Sequence, residues 1–234
     1  MTQFLLLFGS VIGGALLGII MHKRTQQSIK YLLAFSGAYL FGISVVHLFP
    51  EVFLHVGSQA GLWILIGFFA QILLEFFSKG LEHGHMHHHG PNKQTIPMVI
   101  ALWIHAFLEG MPIGGHAHIH QGIMGLDPLM AGVIMHKIPI GMIVMIFLLD
   151  LKTTNFYRWL GIITFALAAP LGSLLANQVA LFTDLSGPLM AFVLGMFLHI
   201  STTILFENAD SHNFNRNKLA VVIIGASLAW LTAA

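Results

Sequence analysis

The chain has 234 residues, of which 56% are hydrophobic and only 8% are charged. A soluble domain carries about 25% charged residues, so this composition excludes an ordinary soluble globular protein. The formal net charge of +1 offers no basic face for nucleic acid. Cysteine is absent, which excludes disulfides and cysteine metal sites. The composition predicts one all-α membrane domain over residues 1–234, with the lipid bilayer as its partner.

Apolar segments of about 20 residues, the length that crosses a bilayer as a helix, recur along the whole chain. The eight segments cover residues 3–21, 31–54, 60–78, 96–115, 128–149, 157–177, 187–207 and 217–233. The first segment has no basic stretch before it and no cleavage site of small residues, so we expect it to remain as a spanning helix. The sequence therefore predicts an integral membrane protein with eight transmembrane helices.

The basic residues lie on one side of this arrangement. Nine of the ten are in the odd-numbered connections or at the adjoining span ends: Lys23, Arg24, Lys30, Lys79, Lys93, Lys152, Arg158, Arg216 and Lys218. The even-numbered connections contain none. Because positive charge concentrates in cytoplasmic loops, we predict that the odd connections are cytoplasmic and that both termini are extracytoplasmic.

The cytoplasmic connection at residues 79–95 contains a histidine-rich tract. Its histidines are His83, His85, His87, His88 and His89. Such a composition is typical of flexible metal binding and predicts an accessory metal-binding loop, with a solvated linker as the alternative. A second alternation, His116-Ala117-His118-Ile119-His120, follows span four. It either gathers cations at the outer mouth or is simply a polar loop.

Two histidines lie near the middle of consecutive spans, each with a charged residue nearby. His105 and Glu109 are four residues apart, so they share one face of span four, while His136 and Lys137 lie in span five. Ionisable side chains at bilayer depth cost roughly 2.5–3.5 kcal/mol each and usually face a cavity. Consecutive spans are neighbours, so we expect these groups to meet. Two imidazoles and one carboxylate suit Zn²⁺, Fe²⁺ or Mn²⁺, and the sequence predicts a metal site there.

Other interpretations of the same residues stay open. Glu109 and Lys137 have opposite charges, so they can form a structural ion pair between two helices. A membrane-embedded metal-dependent hydrolase would use Glu109 as a general base, but the sequence contains no His-Glu-x-x-His motif. Paired histidines can ligate haem, for which a carboxylate and an ammonium are poor neighbours. We therefore expect no enzyme and no organic cofactor.

Two further histidine–glutamate pairs lie near the ends of predicted spans. His47 and Glu51 flank Pro50 in span two, and His199 and Glu207 lie in span seven. These residues are candidates for the two ends of a transport pathway. Interfacial anchoring and hydrogen bonding between helices are the alternative roles.

The order and depth of these motifs resemble the ZIP family of divalent metal transporters. The segment from Gly37 to Glu51 is similar to the second span of that family, and Gly195 to Glu207 is similar to its seventh. His105 to Gly110 is similar to the family's His-Asn-x-x-Glu/Asp-Gly motif, and His136 to Gly141 to its span-five motif. The resemblance implies a ZIP-like, dimer-prone bundle that takes up Zn²⁺ or a similar cation, as substrate, into the cytosol. A compact chain without cysteine fits a bacterial inner membrane.

The chain also departs from the family pattern, in which spans four and five often hold two metals. Usual ligand positions of the family are occupied here by Ala106, Lys137, Ile140 and Ala169. One set of ligands remains, formed by His105, Glu109 and His136. We expect the Lys137 ammonium to take the place of the second metal, because its charge offsets Glu109 and repels a second dication. We therefore expect either a single-metal transporter of altered selectivity or a non-transporting metal sensor.

Overall fold

The computed structural model describes residues 2–22, 26–81, 95–115, 127–206 and 216–233. Within these ranges every regular element is helical and no strand occurs. The α-helices are α1 (Thr2–Met21), α2 (Gln26–Ile43), α3 (Phe49–Val56), α4 (Ala60–Ser78), α5 (Thr95–Gly115), α6 (Pro128–Asp150), α7 (Asn155–Gln178), α8 (Ala180–Asp184), α9 (Ser186–Phe206) and α10 (Arg216–Ala233). The predicted all-α class is therefore confirmed.

Six helical segments of the described chain are long and apolar enough to cross a membrane. They are Thr2–Met21, Ser28–Ser78, Thr95–Gly114, Pro128–Asp150, Asn155–Gln178 and Ser186–Phe206. The second segment has 51 residues and covers two of the predicted spans. Helix α10, which begins with the basic residues Arg216 and Lys218, is not among the six. Length and composition thus establish a multi-pass helical protein, while the number eight stays a prediction.

The 51-residue segment is bent at two places rather than straight. A π-helical turn, Ser44–Leu48, precedes Pro50. Proline has no N–H for the carbonyl four residues earlier and its ring crowds that carbonyl, so the wider turn accommodates it. The chain then reverses at Gly57, whose φ of 64° lies in the left-handed range that glycine adopts without steric cost. A 3-10 turn, Gly57–Gln59, leads into α4.

Helices α1 and α6 form a closely packed parallel pair. The carbonyl oxygen of Ile138 occupies the place that a Cβ at Gly14 would need, and the carbonyl of Met142 does the same at Gly18. Both contacts advance by four residues in the same direction, so the two helices run parallel. Glycines at this spacing let backbones approach closely, which is a main source of helix association in membranes.

Helices α5 and α7 pack in the same way. The carbonyl oxygen of Ala169 leaves no room for a side chain at Gly110, and that of Ser173 leaves none at Gly114. The register again advances by four residues on each helix in the same direction. Helix α7 therefore supports the half of α5 that carries Glu109.

Two further parallel pairs complete the packing of the long described helices. Gly42 of α2 faces Ala229 of α10, and Gly225 of α10 faces Phe35 of α2. In the pair of α4 and α9, Gly67 lies against the carbonyl oxygen of Phe192, and Glu75 contacts His199 about two turns further along both helices. Helix α6 is the most buried of the six apolar segments, since 72% of its apolar stretch is buried inside the protein. Side chains on α6 consequently face other helices on most sides.

Candidate metal centre

The candidate site lies between α5 and α6. The start of α6 is capped, and a proline interrupts the backbone hydrogen bonding of each helix close to the site. Asp127 caps α6, since its carboxylate accepts a hydrogen bond of 3.1 Å from the backbone N–H of Met130. Each helix contains one internal proline shortly after the site residues, Pro112 in α5 and Pro139 in α6. Such prolines remove a backbone hydrogen bond, and membrane helices tolerate this where neighbours or a cavity satisfy the freed carbonyl.

The structure brings together the three residues that the sequence proposed as ligands. Nε2 of His105 lies 3.1 Å from Oε1 of Glu109, and Nε2 of His136 lies 3.7 Å from the same oxygen. The three donor atoms all lie within 4.8 Å of one another. Each side chain is at most 1% exposed. One carboxylate oxygen and two imidazole nitrogens thus converge on one buried point.

The spacing of these donors suits a small divalent cation. Bonds of about 2.0–2.2 Å at tetrahedral angles place neighbouring ligand atoms roughly 3.3–3.5 Å apart, and the two observed separations of 3.1 and 3.7 Å lie on either side of that value. Within the described chain, Nε2 of His105 and Oε1 of Glu109 are buried and make no hydrogen bond. Buried polar atoms normally have a partner. A cation bound at this point would supply one for both atoms.

Lys137 uses the other oxygen of the same carboxylate. Its ammonium donates to Oε2 of Glu109, and it is buried to the same degree. Its Nζ also lies 5.6 Å from the centre of the Phe165 ring, within range of a cation–π contact. The structural ion pair and the metal interpretation are therefore compatible, because Glu109 presents a different oxygen to each.

Gln71 of α4 is a site residue that the sequence reasoning missed. It is fully buried, and its Oε1 lies 3.0 Å from Nδ1 of His105. The sequence offered a modest signal: Gln71 is the one amide in a largely apolar α4, one turn before Glu75. Nothing in the sequence alone sets the depth of α4 against α5.

The two peripheral histidines, His47 and His199, each contact a glutamate. Only the glutamate beside His47 is the one that the sequence predicted. Nε2 of His47 lies 3.5 Å from Oε2 of Glu51, as their four-residue spacing suggests. His199 of α9 contacts the carboxylate of Glu75 on α4. Its predicted companion, Glu207, lies outside the described residues. Glu75, near the end of α4, is thus engaged by a neighbouring helix.

The predicted accessory loop is also outside the described part of the chain. This applies to the tract with His83, His85, His87, His88 and His89, and to the alternation at residues 116–120. Metal binding by these histidines therefore stays a prediction.

Comparison with known families adds one finding. The family described as ZIP Zinc transporter matches residues 94–233, which is more than half of the chain. The matched range contains α5 to α10, and with them His105, Glu109, His136 and Lys137. Gln71 and the pair of His47 and Glu51 lie before it. A search of the curated proteins finds no match.

Proposed function

Because the chain belongs to the ZIP zinc transporter family, we propose that it carries divalent transition-metal cations, Zn²⁺ foremost, into the cytosol. The observation that carries this proposal is the buried convergence of His105, Glu109 and His136, whose donor atoms lie within 4.8 Å of one another. Fe²⁺ and Mn²⁺ are alternative substrates, because nitrogen and carboxylate ligands suit them too. The family is one of divalent metal transporters rather than enzymes, and the hydrolase alternative has no comparable support.

Helix directions support eight crossings. Helices α1 and α6 run parallel, so an odd number of crossings must lie between them. If the 51-residue segment crossed once, α6 would be the fourth crossing and would run antiparallel to α1. Two crossings with the reversal at Gly57 make α6 the fifth and restore the observed direction. The parallel pair of α2 and α10 likewise favours α10 as the eighth, and the distribution of Lys and Arg then favours extracytoplasmic termini.

We propose that the site between α5 and α6 holds one cation at a time. Glu109 offers Oε1 to the cation and Oε2 to the Lys137 ammonium. A second dication beside that ammonium would meet a like charge in a buried setting, where Coulomb repulsion is far stronger than in water. Lys137 therefore replaces the second metal and makes this a single-metal site.

The transport pathway is proposed to pass from one histidine–glutamate pair to another. His47 and Glu51 form the outer pair, and His199 with Glu75 forms the inner pair. Glu207 remains a candidate at the inner end, where the histidine-rich loop would collect the released cation. A midplane site with access alternating between the two sides is how secondary carriers generally work. The expected homodimer and the bacterial inner-membrane location stay predictions.

Metal flux into proteoliposomes tests the proposal directly. Purified wild type is compared with His105→Ala, Glu109→Ala and a control, His22→Ala, which removes a half-buried histidine that contacts Asp150 at 3.3 Å outside the site. We expect Zn²⁺ uptake by the wild type and the control, and at least about tenfold less by the two site variants, since each loses a metal ligand.

Normal transport by both site variants would overturn the site. A wild type that binds Zn²⁺ at the site but moves none would identify a metal sensor instead.

A further inference from the structure

Gln71 stands apart from the rest of its helix. Helix α4 is largely exposed on its outer faces, and its buried residues form a narrow stripe of Ala60, Gly67, Gln71 and Ser78. The three other members are small residues. A long amide side chain in such a stripe costs free energy to desolvate unless it is hydrogen-bonded, and Gln71 is 0% exposed.

The hydrogen bond from His105 to Gln71 favours the tautomer with its proton on Nδ1, which leaves Nε2 available as a ligand atom. A carbonyl oxygen can only accept, so contact with Oε1 of Gln71 requires the proton of a neutral imidazole on Nδ1. The lone pair is then on Nε2, the atom 3.1 Å from Oε1 of Glu109. The opposite tautomer would direct an N–H at the cation site and prevent ligation by this residue.

We propose that Gln71 is a positioning residue that holds His105 in its metal-binding tautomer and orientation. The inference rests on the proposed function and deepens it. Metal-ligating histidines commonly donate their second N–H to a carboxylate or carbonyl, and loss of that partner typically costs 10–100-fold in affinity. Here the partner is a neutral amide.

The neutrality of Gln71 matters for a site that must release its cation. A carboxylate at this position would make His105 more basic and add a negative charge close to the cation, and both effects strengthen binding. With the amide, the opposite formal charges of Glu109 and Lys137 face each other and offset one another. Gln71 therefore favours a lower affinity and faster release than a glutamate would.

The experiment compares three variants of the full-length protein in detergent and in proteoliposomes. Gln71→Met keeps a long unbranched side chain without an acceptor, and Gln71→Glu keeps an acceptor but adds charge. Ser78→Ala is the matched control, because it removes a buried hydroxyl of the same helix face that bonds to the backbone oxygen of Glu75. Melting temperature establishes that each variant is folded.

The first measurement is ¹⁵N NMR of the metal-free protein, with the His105 signals assigned by their loss in His105→Ala. We expect an N–H on Nδ1 in the wild type, Ser78→Ala and Gln71→Glu, and a mixture of tautomers in Gln71→Met. A proton on Nε2 in the metal-free wild type, or an unchanged tautomer in Gln71→Met, would overturn the proposal. This result does not depend on transport.

The second measurement separates affinity from turnover with Zn²⁺. We expect Gln71→Met to bind Zn²⁺ about 10–100-fold more weakly. Gln71→Glu should bind at least as tightly as the wild type, with a lower KM and a lower turnover. Equal losses in both variants would show a purely steric role and would contradict the proposal.

Discussion

The central site and the inner pair use the same chemical groups in different settings. At the centre, His105, Glu109 and His136 are at most 1% exposed and contribute three donors. In the inner pair, His199 and Glu75 contribute two donors, and their side chains are 14% and 23% exposed. Electrostatic interactions strengthen as water is excluded. Three buried ligand atoms are suited to bind a cation firmly, whereas two partly exposed ligand atoms are suited to bind it briefly and release it.

The two regions also differ in how their charges are balanced. The central carboxylate always faces the tethered ammonium of Lys137. The inner carboxylate faces the imidazole of His199 at a more exposed position. Removal of one group should therefore do more damage at the centre than at the periphery.

The largest effect is expected from Glu109→Gln. The substitution removes a ligand and leaves the Lys137 ammonium buried without its carboxylate, which typically costs about 3–5 kcal/mol. We expect the melting temperature to drop and uptake to fall at least about 100-fold. A 100-fold decrease in uptake corresponds to slightly less than about 3 kcal/mol, which is within the cost of removing this carboxylate. The double variant Glu109→Gln, Lys137→Met should regain stability without regaining uptake. Calorimetry and flux assays on all three proteins check this, and a double variant that transports would contradict it.

A smaller effect is expected from Glu75→Gln, which changes the inner pair. A partly exposed ion pair contributes roughly 0.2–1 kcal/mol, so turnover should fall about fivefold or less. The affinity of the central site should not change, because its donors lie on other helices. Equilibrium binding and flux of Zn²⁺ separate the two quantities. A loss of central affinity equal to that of His105→Ala would show that the regions are not distinct.

The smallest expected change is a count of bound ions. Lys137→Asp replaces the ammonium with a carboxylate beside Glu109, and we expect bound Zn²⁺ to rise from one to two per chain. Lys137→Met, which removes the charge without adding a ligand, serves as the control and should still bind one. Elemental analysis after equilibrium dialysis measures the ratio. The same ratio in wild type and Lys137→Asp would count against the role proposed for Lys137.

The core of the site was predictable because it depends on local periodicity. His105 and Glu109 are one turn apart on any α-helix, and His136 lies at a similar depth on the next span. The pair of His47 and Glu51 followed from the same spacing. The positions of the long helices were also predictable from local sequence, because a membrane-spanning helix requires only an apolar segment of sufficient length.

Contacts between helices distant in sequence were not predictable. Gln71 reaches His105 only because of the depth at which α4 and α5 pack, and no local pattern encodes that depth. The parallel packing of α4 with α9, with Gly67 against Phe192, places Glu75 beside His199. The sequence offered Glu207 as the neighbour because it lies in the same span. The π-helical turn before Pro50 was likewise invisible, although the proline itself indicated a bend.

The tethered ammonium of Lys137 has a consequence for the response to voltage. Glu109 and Lys137 carry formal charges of −1 and +1, so the empty site is close to neutral, whereas the loaded site gains the two charges of its cargo. Moving one elementary charge through the membrane field is worth about 2.3 kcal/mol per 100 mV. In the proposed carrier, an inside-negative potential would thus accelerate the loaded inward step and leave the return of the empty protein almost unaffected.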